Sequence, residues 1–366
     1  MRWHDAARHY ANAARLDPGF DTLFKAREYA WRSGSLDAAH RYGADLVALA
    51  RDEGTQEQLA TALNEHAITF QAQGRYAEAE GLFREALEIG RATLGERHPN
   101  YAIRLNNLAG VVQAQGRYAE AEEVYRQALE IDRATLGAGH PDYAIHLNNL
   151  AGVVQDQGRY AEAEGLYRQA LEIDRATIGA GHPDYAIRLN NLALVVQAQG
   201  RYAEAEGLYR EALEIDRATL GERHPEYATR LGNLAGVMQD QGRHAEAEGL
   251  YLQALEIGRA TIGERHPEYA TRLNNLAHVV QTQRRYAEAE GLYREALEID
   301  RATLGERHPA YATRLGNLGW LLGQTGRVAE GRDMLERALA IFRAALPPDH
   351  PHIAETQRRL AALPGA

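Results

Sequence analysis

The sequence contains no cysteine, a single lysine and only two serines among its 366 residues. Without cysteine the chain forms no disulfide, no thiolate zinc site and no cysteine nucleophile. Lys25 does not follow a glycine-rich turn, so there is no phosphate-binding loop of the G-x-x-x-x-G-K-[ST] kind. Ser33 and Ser35 do not lie in the G-x-S-x-G pattern of hydrolases. These absences predict a protein that is not an enzyme and that holds no cofactor.

Long apolar runs are also missing. The longest run of strongly apolar residues is about five positions long, at residues 192–196, which predicts no transmembrane helix. Residues 1–5 form no apolar core of a secretory signal, so we expect a cytoplasmic protein. The 41 basic and 51 acidic residues give a net charge of −10, which disfavours binding to phosphate backbones. We therefore expect neither a nucleic-acid nor a membrane partner.

A repeat of 42 residues runs through most of the chain. The dipeptide His-Pro recurs seven times at this interval, from His98 to His350. Residues 99–140 and 141–182 differ at only six positions. Such self-similarity is typical of repeat architectures, in which stacked neighbours share one continuous core.

Apolar residues recur at helical spacing inside each repeat. Leu105, Leu108 and Val112 lie on one face of a first helix, here called helix A. After the turn at Gly116, a second stripe begins at Tyr118 and defines helix B. Glycine ends helix B and proline opens the next helix A, as helix termini prefer. Each repeat is therefore predicted to form a helical hairpin.

These residues resemble the tetratricopeptide pattern. The 42-residue form, with Leu-Asn-Asn-Leu-Ala, Gly-Arg-Tyr-x-Glu-Ala-Glu and Leu-Gly-x-x-His-Pro, is similar to the repeats of kinesin light chains over about residues 56 to 363. The resemblance implies an all-α fold, a right-handed α-α superhelix whose A helices line a concave groove. We expect residues 1–55 to form an orphan helix and a divergent hairpin. Residues 56–349 then form seven repeats, and residues 350–366 form a capping helix.

The resemblance implies that groove positions on helix A bind an extended peptide or a partner segment. Asparagine has a low helix propensity, so its recurrence at positions expected to be solvated needs a reason. An amide offers donors and an acceptor to a peptide backbone. Alternatively, the asparagines bridge neighbouring helices, or they persist because the repeats were recently duplicated. The candidate amides are Asn64, Asn106, Asn148, Asn190, Asn274, Asn107, Asn149, Asn191, Asn233, Asn275, Gln113, Gln155, Gln197 and Gln239.

An apolar pocket in the groove is predicted from Ile145, Ile187 and Leu194, and His278 occupies the position equivalent to Leu194. No lysine or arginine stands at these positions, so the groove is expected to be neutral to acidic. Arginines one position away are expected to flank the groove, where they could pair with an acidic ligand. These are Arg104, Arg188, Arg230, Arg272 and Arg314.

The repeated histidines do not predict a metal site. Equivalent positions of stacked hairpins lie about 8–10 Å apart. Metal ligands lie much closer together, because each is bonded at about 2 Å. We expect the seven histidines to precede the first proline of helix A as loop residues.

The sequence thus predicts a non-catalytic protein–protein interaction scaffold with an unidentified protein or peptide partner. One alternative is a regulatory array that docks a separate effector through its N-terminal helices, because the apolar face of residues 1–18 lacks the helix that would normally cover it. The other interpretation of residues 1–18 is a natural N-terminal cap of the array. A second alternative is self-assembly, because near-identical hairpins can stack end to end.

Overall fold

The computed structural model describes residues 3–348 and 350–364, and within them it contains eighteen α-helices and no strand. The chain divides into two compact units, Met1–Gly221 and Glu222–Ala366, here called unit 1 and unit 2.

Unit 1 begins with three helices, α1 (Trp3–Leu16), α2 (Phe20–Arg32) and α3 (Leu36–Asp52). Four hairpins of one A and one B helix follow. They are α4 (Gln56–Ala72) with α5 (Tyr76–Thr93), α6 (Pro99–Ala114) with α7 (Tyr118–Thr135), α8 (Pro141–Asp156) with α9 (Tyr160–Thr177), and α10 (Pro183–Ala198) with α11 (Tyr202–Thr219).

Unit 2 continues the pattern with three hairpins and a final helix. They are α12 (Pro225–Asp240) with α13 (His244–Thr261), α14 (Pro267–Thr282) with α15 (Tyr286–Thr303), α16 (Pro309–Gln324) with α17 (Val328–Ala345), and the single helix α18 (Pro351–Ala362). The all-helical hairpin fold predicted from the periodicity is confirmed.

Helix ends follow from local chemistry. Gly116 and Gly137, which end helices A and B, have φ values of 77° and 90°, a conformation that costs glycine little. Arg284 takes the place of the glycine between α14 and α15 and still adopts a φ of 65°. The neighbouring repeats therefore hold the turn geometry even where the residue does not favour it.

The core of each unit is shared between neighbouring hairpins. Ala102 and Leu105 of α6 pack with Ala128 of α7, and Leu87 of the preceding helix α5 contacts the same cluster. Small alanines allow the helices to approach, and larger side chains such as Tyr125, only 3% exposed, fill the space between them. Because no hairpin encloses its apolar face alone, stability depends on nearest neighbours.

The divergent ends are helical as predicted. The orphan helix is α1, the divergent hairpin is α2 with α3, and the capping helix is α18. Residues 1, 2, 365 and 366 of the predicted end segments, and residue 349 at the end of the predicted repeats, lie outside the described residues. The proposed division at residues 55 and 350 stays a prediction.

Candidate functional site

The histidine of each His-Pro pair caps helix A. In α8, the Nδ1 of His140 accepts a hydrogen bond of 3.1 Å from the backbone N–H of Asp142. The same contact begins α6, α10, α12, α14, α16 and α18. Pro141 follows at the first helical position, where a missing N–H costs nothing. The structure therefore confirms the loop position of these histidines, and their function is capping.

The asparagines of helix A form bridges between repeats. Asn191 donates to Asn148 across 2.9 Å, and Asn149 donates to Asn106 across 2.8 Å. Within α8, Asn148 donates to Asn149 across 3.2 Å, so one directed chain of hydrogen bonds crosses three repeats. Two further bridges are Asn107 to Asn64 and, in unit 2, Asn317 to Asn274. The bridging alternative is thus realised in the structure.

Burial of these amides differs from expectation. They were expected at solvated positions, but most are half-buried and Asn190 is only 8% exposed. Replacing an asparagine such as Asn148 by alanine would also break an inter-repeat bond. Such a variant therefore cannot separate a loss of binding from a loss of packing.

The glutamines of the groove positions are oriented by buried tyrosines. Tyr125 donates its hydroxyl to the Oε1 of Gln113 across 3.2 Å, and Tyr293 donates to Gln281 across 3.0 Å. Burial raises the pKa of Tyr125, so its hydroxyl stays protonated and keeps donating. The Nε2 of Gln113 in turn donates to Asp156 of the next repeat across 2.7 Å. Equivalent tyrosine bonds are made to Gln155 and Gln197.

A row of exposed isoleucines lies on the A helices of unit 1. Ile145 is 41% exposed, Ile187 37% and Leu194 37%. Ile103, which sequence reasoning missed, is 44% exposed in the same row. Its position 42 residues before Ile145 was the signal that could have identified it. We call Ile103, Ile145 and Ile187 the isoleucine row, and Leu194 lies seven residues after Ile187 on α10.

The same surface of unit 2 is polar. Thr229, Thr271 and Thr313 stand where unit 1 has isoleucine. The Nδ1 of His278 lies 2.8 Å from the Nε2 of Gln239, and Arg359 of α18 donates to Asn317 across 2.9 Å. The exposed isoleucines of the A helices therefore belong to unit 1, although Trp320, half-buried on α16, stands at the position equivalent to Leu194.

The expectation that arginines flank the groove is wrong. These side chains are 2–7% exposed, and they lie between helices instead of facing a ligand: Arg104, Arg188, Arg230, Arg272 and Arg314. Arg188 pairs with Asp174 of α9 at 2.5 Å, and His146 pairs with Asp132 of α7 at 2.5 Å. A guanidinium buried in a helix interface is stable only with a partner such as Asp174.

Two repeats have glycine in place of that aspartate. A Cβ at Gly258 would lie 2.7 Å from the Nη1 of Arg272, so the guanidinium occupies the space that the aspartate fills elsewhere. Arg272 donates instead to the Thr229 hydroxyl at 3.2 Å and to the carbonyl of Pro225 at 3.3 Å. In this repeat the Thr229 hydroxyl and the Pro225 carbonyl thus replace the buried aspartate. Glu268 at 3.5 Å is the carboxylate partner that Arg272 retains.

A second set of ion pairs joins consecutive B helices. Arg201, at the turn before α11, binds Glu164 of α9 at 2.8 Å and Glu204 at 2.5 Å. Burial opposes ionisation, but hydrogen bonds from Gln199, Arg168 and Arg201 lower the pKa of Glu164 to about 2. Equivalent pairs are Arg117 with Glu80, Arg159 with Glu122, Arg285 with Glu248 and Arg327 with Glu290. They hold the repeats in register.

An open cleft lies between α1 and α3 in unit 1. It has a volume of about 760 Å³, with Ala11, Ala14 and Ala48 in its wall and Asp45 and Asp52 beside them. Leu16, at the end of α1, is 84% exposed. The first three helices therefore leave an apolar surface that no described residue fills.

Among the described residues, no group of three histidines and carboxylates is arranged to hold a metal ion. In the same part of the chain, no helix combines the length and apolar character required to cross a membrane.

Comparison with known proteins agrees with this geometry. The tetratricopeptide repeat model matches residues 58–134, 102–176, 142–218, 184–260, 227–302 and 273–344. The chain therefore belongs to the tetratricopeptide repeat family, whose repeats generally mediate protein–protein interactions. No curated protein matches the chain.

Solved structures similar to the chain include kinesin light chain-like repeats. A candidate kinesin light chain of Podosopora anserina with nearly identical TPR-like repeats is 29% identical, and the match covers 56% of this chain and 98% of that one with a TM-score of 0.46. BtubC (BKLC) from P. vanneervenii is 24% identical, and the match covers 66% of this chain and 94% of that one with a TM-score of 0.49.

Proposed function

We propose that the chain is a non-catalytic scaffold that binds an extended segment of another protein on the A helices of unit 1. The observation that carries the proposal is the isoleucine row. Its members are 37–44% exposed on consecutive A helices, in the positions where unit 2 has threonine. Exposed aliphatic side chains that recur along one surface are a feature of interaction sites.

The hydrogen-bonded asparagines of α6, α8 and α10 also favour ligand binding on the A helices of unit 1. Each amide has two donor hydrogens and two acceptor lone pairs. In Asn148, the bonds to Asn149 and Asn191 use one donor and one acceptor. The remaining capacity suits the backbone of an extended segment, and the bridges hold the amides in place before the ligand arrives.

The repetition of the polar side chains speaks against a catalytic site. Acid–base chemistry needs one site with matched groups. In this chain the polar side chains recur in every hairpin, where the glutamates and arginines bind one another.

The test is selection of peptides from a random twelve-residue library on the immobilised chain. The informative variant replaces Ile103, Ile145 and Ile187 by threonine, the residue that the same position holds in unit 2. The matched control is Leu252→Arg, because Leu252 is 49% exposed on helix B, where α9 and α15 have Arg168 and Arg294. We expect the wild-type chain and the Leu252→Arg control to retain the same peptides. We expect the triple isoleucine variant to lose them. Selection of the same peptides by the wild-type chain and by the triple isoleucine variant would contradict the proposal.

The cleft between α1 and α3 supports a second candidate, docking of an effector protein at the N-terminal helices. Ala48 is exposed in its wall, and Ala48→Arg would fill the cleft with a charged side chain. If an effector protein docks in this cleft, Ala48→Arg should abolish its binding. The triple isoleucine variant should leave the binding of that effector unchanged.

A further inference from the structure

The A helices of unit 1 expose no cationic side chain of arginine or lysine. Across α4, α6, α8 and α10 the only such residues are Arg104 and Arg188. Both are buried, and they pair with Glu57 at 2.5 Å and with Asp174 at 2.5 Å. Neither cation is available to a ligand without breaking an ion pair inside the fold.

The loops and turns next to α8 and α10 add no free arginine or lysine either, whereas Arg97 in the loop before α6 is exposed. The loops before α8 and α10 read Gly-Ala-Gly, whereas the loop before α6 reads Gly-Glu-Arg. The arginines of the A–B turns bind the glutamates of the B helices. These turn residues are Arg117, Arg159 and Arg201.

On α8 and α10 the exposed charged side chains next to the isoleucine row are carboxylates. Asp142 stands three residues before Ile145, and Asp184 stands three residues before Ile187, so each pair shares one helix face. The two aspartate side chains are 44% and 51% exposed. Further along the same stripe of α8, at spacings of three and four residues, lies the exposed Asp156. In α8 the isoleucine therefore lies on a stripe with a carboxylate at each end.

The repeat geometry sets a spacing for the ligand. Packed helices lie about 8–10 Å apart, so successive members of the isoleucine row are separated by about that distance. An extended chain of the polyproline type rises about 3.1 Å per residue and turns once every three residues. One turn is about 9 Å long, so every third side chain can reach the next isoleucine.

We infer that the segment bound by unit 1 is basic, with an aliphatic side chain at about every third residue between lysines or arginines. This inference rests on the proposed function and deepens it. The aliphatic side chains contact Ile103, Ile145 and Ile187, and the cations contact Asp142, Asp184 and Asp156. On α8 and α10 an acidic segment meets carboxylates and one buried, paired arginine, Arg188.

The test uses three synthetic twelve-residue probes, with the repeating sequences Leu-Lys-Pro, Leu-Glu-Pro and Ser-Lys-Pro, and measures their affinity for the full chain by fluorescence anisotropy. The Leu-Lys-Pro probe is expected to bind at least tenfold more tightly than either of the others. The double variant Asp142→Asn with Asp184→Asn is expected to weaken it several-fold. The matched control is Glu172→Gln with Glu214→Gln, which removes the same charge from exposed positions of helix B and is expected to leave the affinity unchanged.

Each other outcome overturns the inference. Equal affinity of the Ser-Lys-Pro probe, or equal weakening by the control pair, would mean attraction to the net charge of −10 alone. Equal or tighter binding of the Leu-Glu-Pro probe, lost in the triple isoleucine variant, would refute the charge preference and leave the proposed function standing. Binding of no probe would refute the ligand class. The library selection would then decide the proposed function by itself.

Discussion

Two buried aspartate–arginine pairs differ in what else the arginine contacts. Asp174 pairs with Arg188 in unit 1 at 2.5 Å, and Asp300 pairs with Arg314 in unit 2 at 2.9 Å. Both aspartates are fully buried, and both arginines are 5% exposed. Removing the carboxylate should therefore test how far each cation depends on it.

Besides Asp300, Arg314 has two hydrogen-bond partners, and one of them has no equivalent at Arg188. The Nη2 of Arg314 donates to the Thr271 hydroxyl at 2.7 Å, and its Nη1 donates to the carbonyl of Ala310 at 3.1 Å. The position equivalent to Thr271 in unit 1 is Ile145, which has no hydroxyl. We therefore expect the loss of the Asp174 carboxylate to destabilise the fold more than the loss of the Asp300 carboxylate.

The expected magnitudes follow from these contacts. Removing one partner of a buried ion pair costs about 3–5 kcal/mol. A hydrogen bond to a charged group contributes about 1.5–3 kcal/mol. Asp174→Ala should then cost about 3–5 kcal/mol, and Asp300→Ala should cost about 1.5–3 kcal/mol less. Adding Ile145→Thr to Asp174→Ala should recover part of the loss, because it supplies the hydroxyl.

Native-state hydrogen exchange is the suitable assay, because stability in repeat proteins varies along the chain. The amides of α9 and α10 report on Asp174, and those of α15 and α16 report on Asp300. Equal losses of opening free energy in the two variants, with no recovery from Ile145→Thr, would refute the reasoning that the threonine replaces the carboxylate.

Two further predictions concern pH and close packing. Because the pKa of Glu164 is lowered to about 2, its ion pairs should stabilise the fold above about pH 4.5 and be lost as the pH falls toward 2. Glu164→Gln should reduce the loss of unfolding free energy between pH 4.5 and pH 2, measured by urea unfolding, by about 1–2 kcal/mol. The value is this small because solvent screens part of the interaction. Gly331→Ala should destabilise unit 2 by about 1–3 kcal/mol, because its Cβ would lie 2.5 Å from the Gly319 carbonyl oxygen.

Matched variants check both predictions. Glu172→Gln, at an exposed position of α9, should leave the acid limb unchanged, and a flattening equal to that of Glu164→Gln would contradict the ion-pair explanation. Gly291→Ala, on α15, meets no atom within 4 Å and should be neutral or slightly stabilising in thermal unfolding. If Gly331→Ala and Gly291→Ala had the same Tm, the packing argument would be contradicted.

The sequence by itself determined the elements of this protein. Similar hairpins at a 42-residue interval carry their own signals, with proline after a capping histidine and glycine at most helix ends. Helical periodicity and caps are local properties of neighbouring residues, so the sequence shows them directly. Burial of the helix faces follows, because no hairpin covers its own apolar stripe.

Only the tertiary structure decided which polar side chains are available. Arg188 and Asp174 are 14 residues apart, and the sequence does not show that they meet inside a helix interface. The Asn149–Asn106 bridge is likewise formed between repeats. The ionic character of the candidate groove depends on these pairings. A charge that is used inside the fold looks the same in the sequence as one that faces solvent, and only packing against a neighbouring helix distinguishes the two.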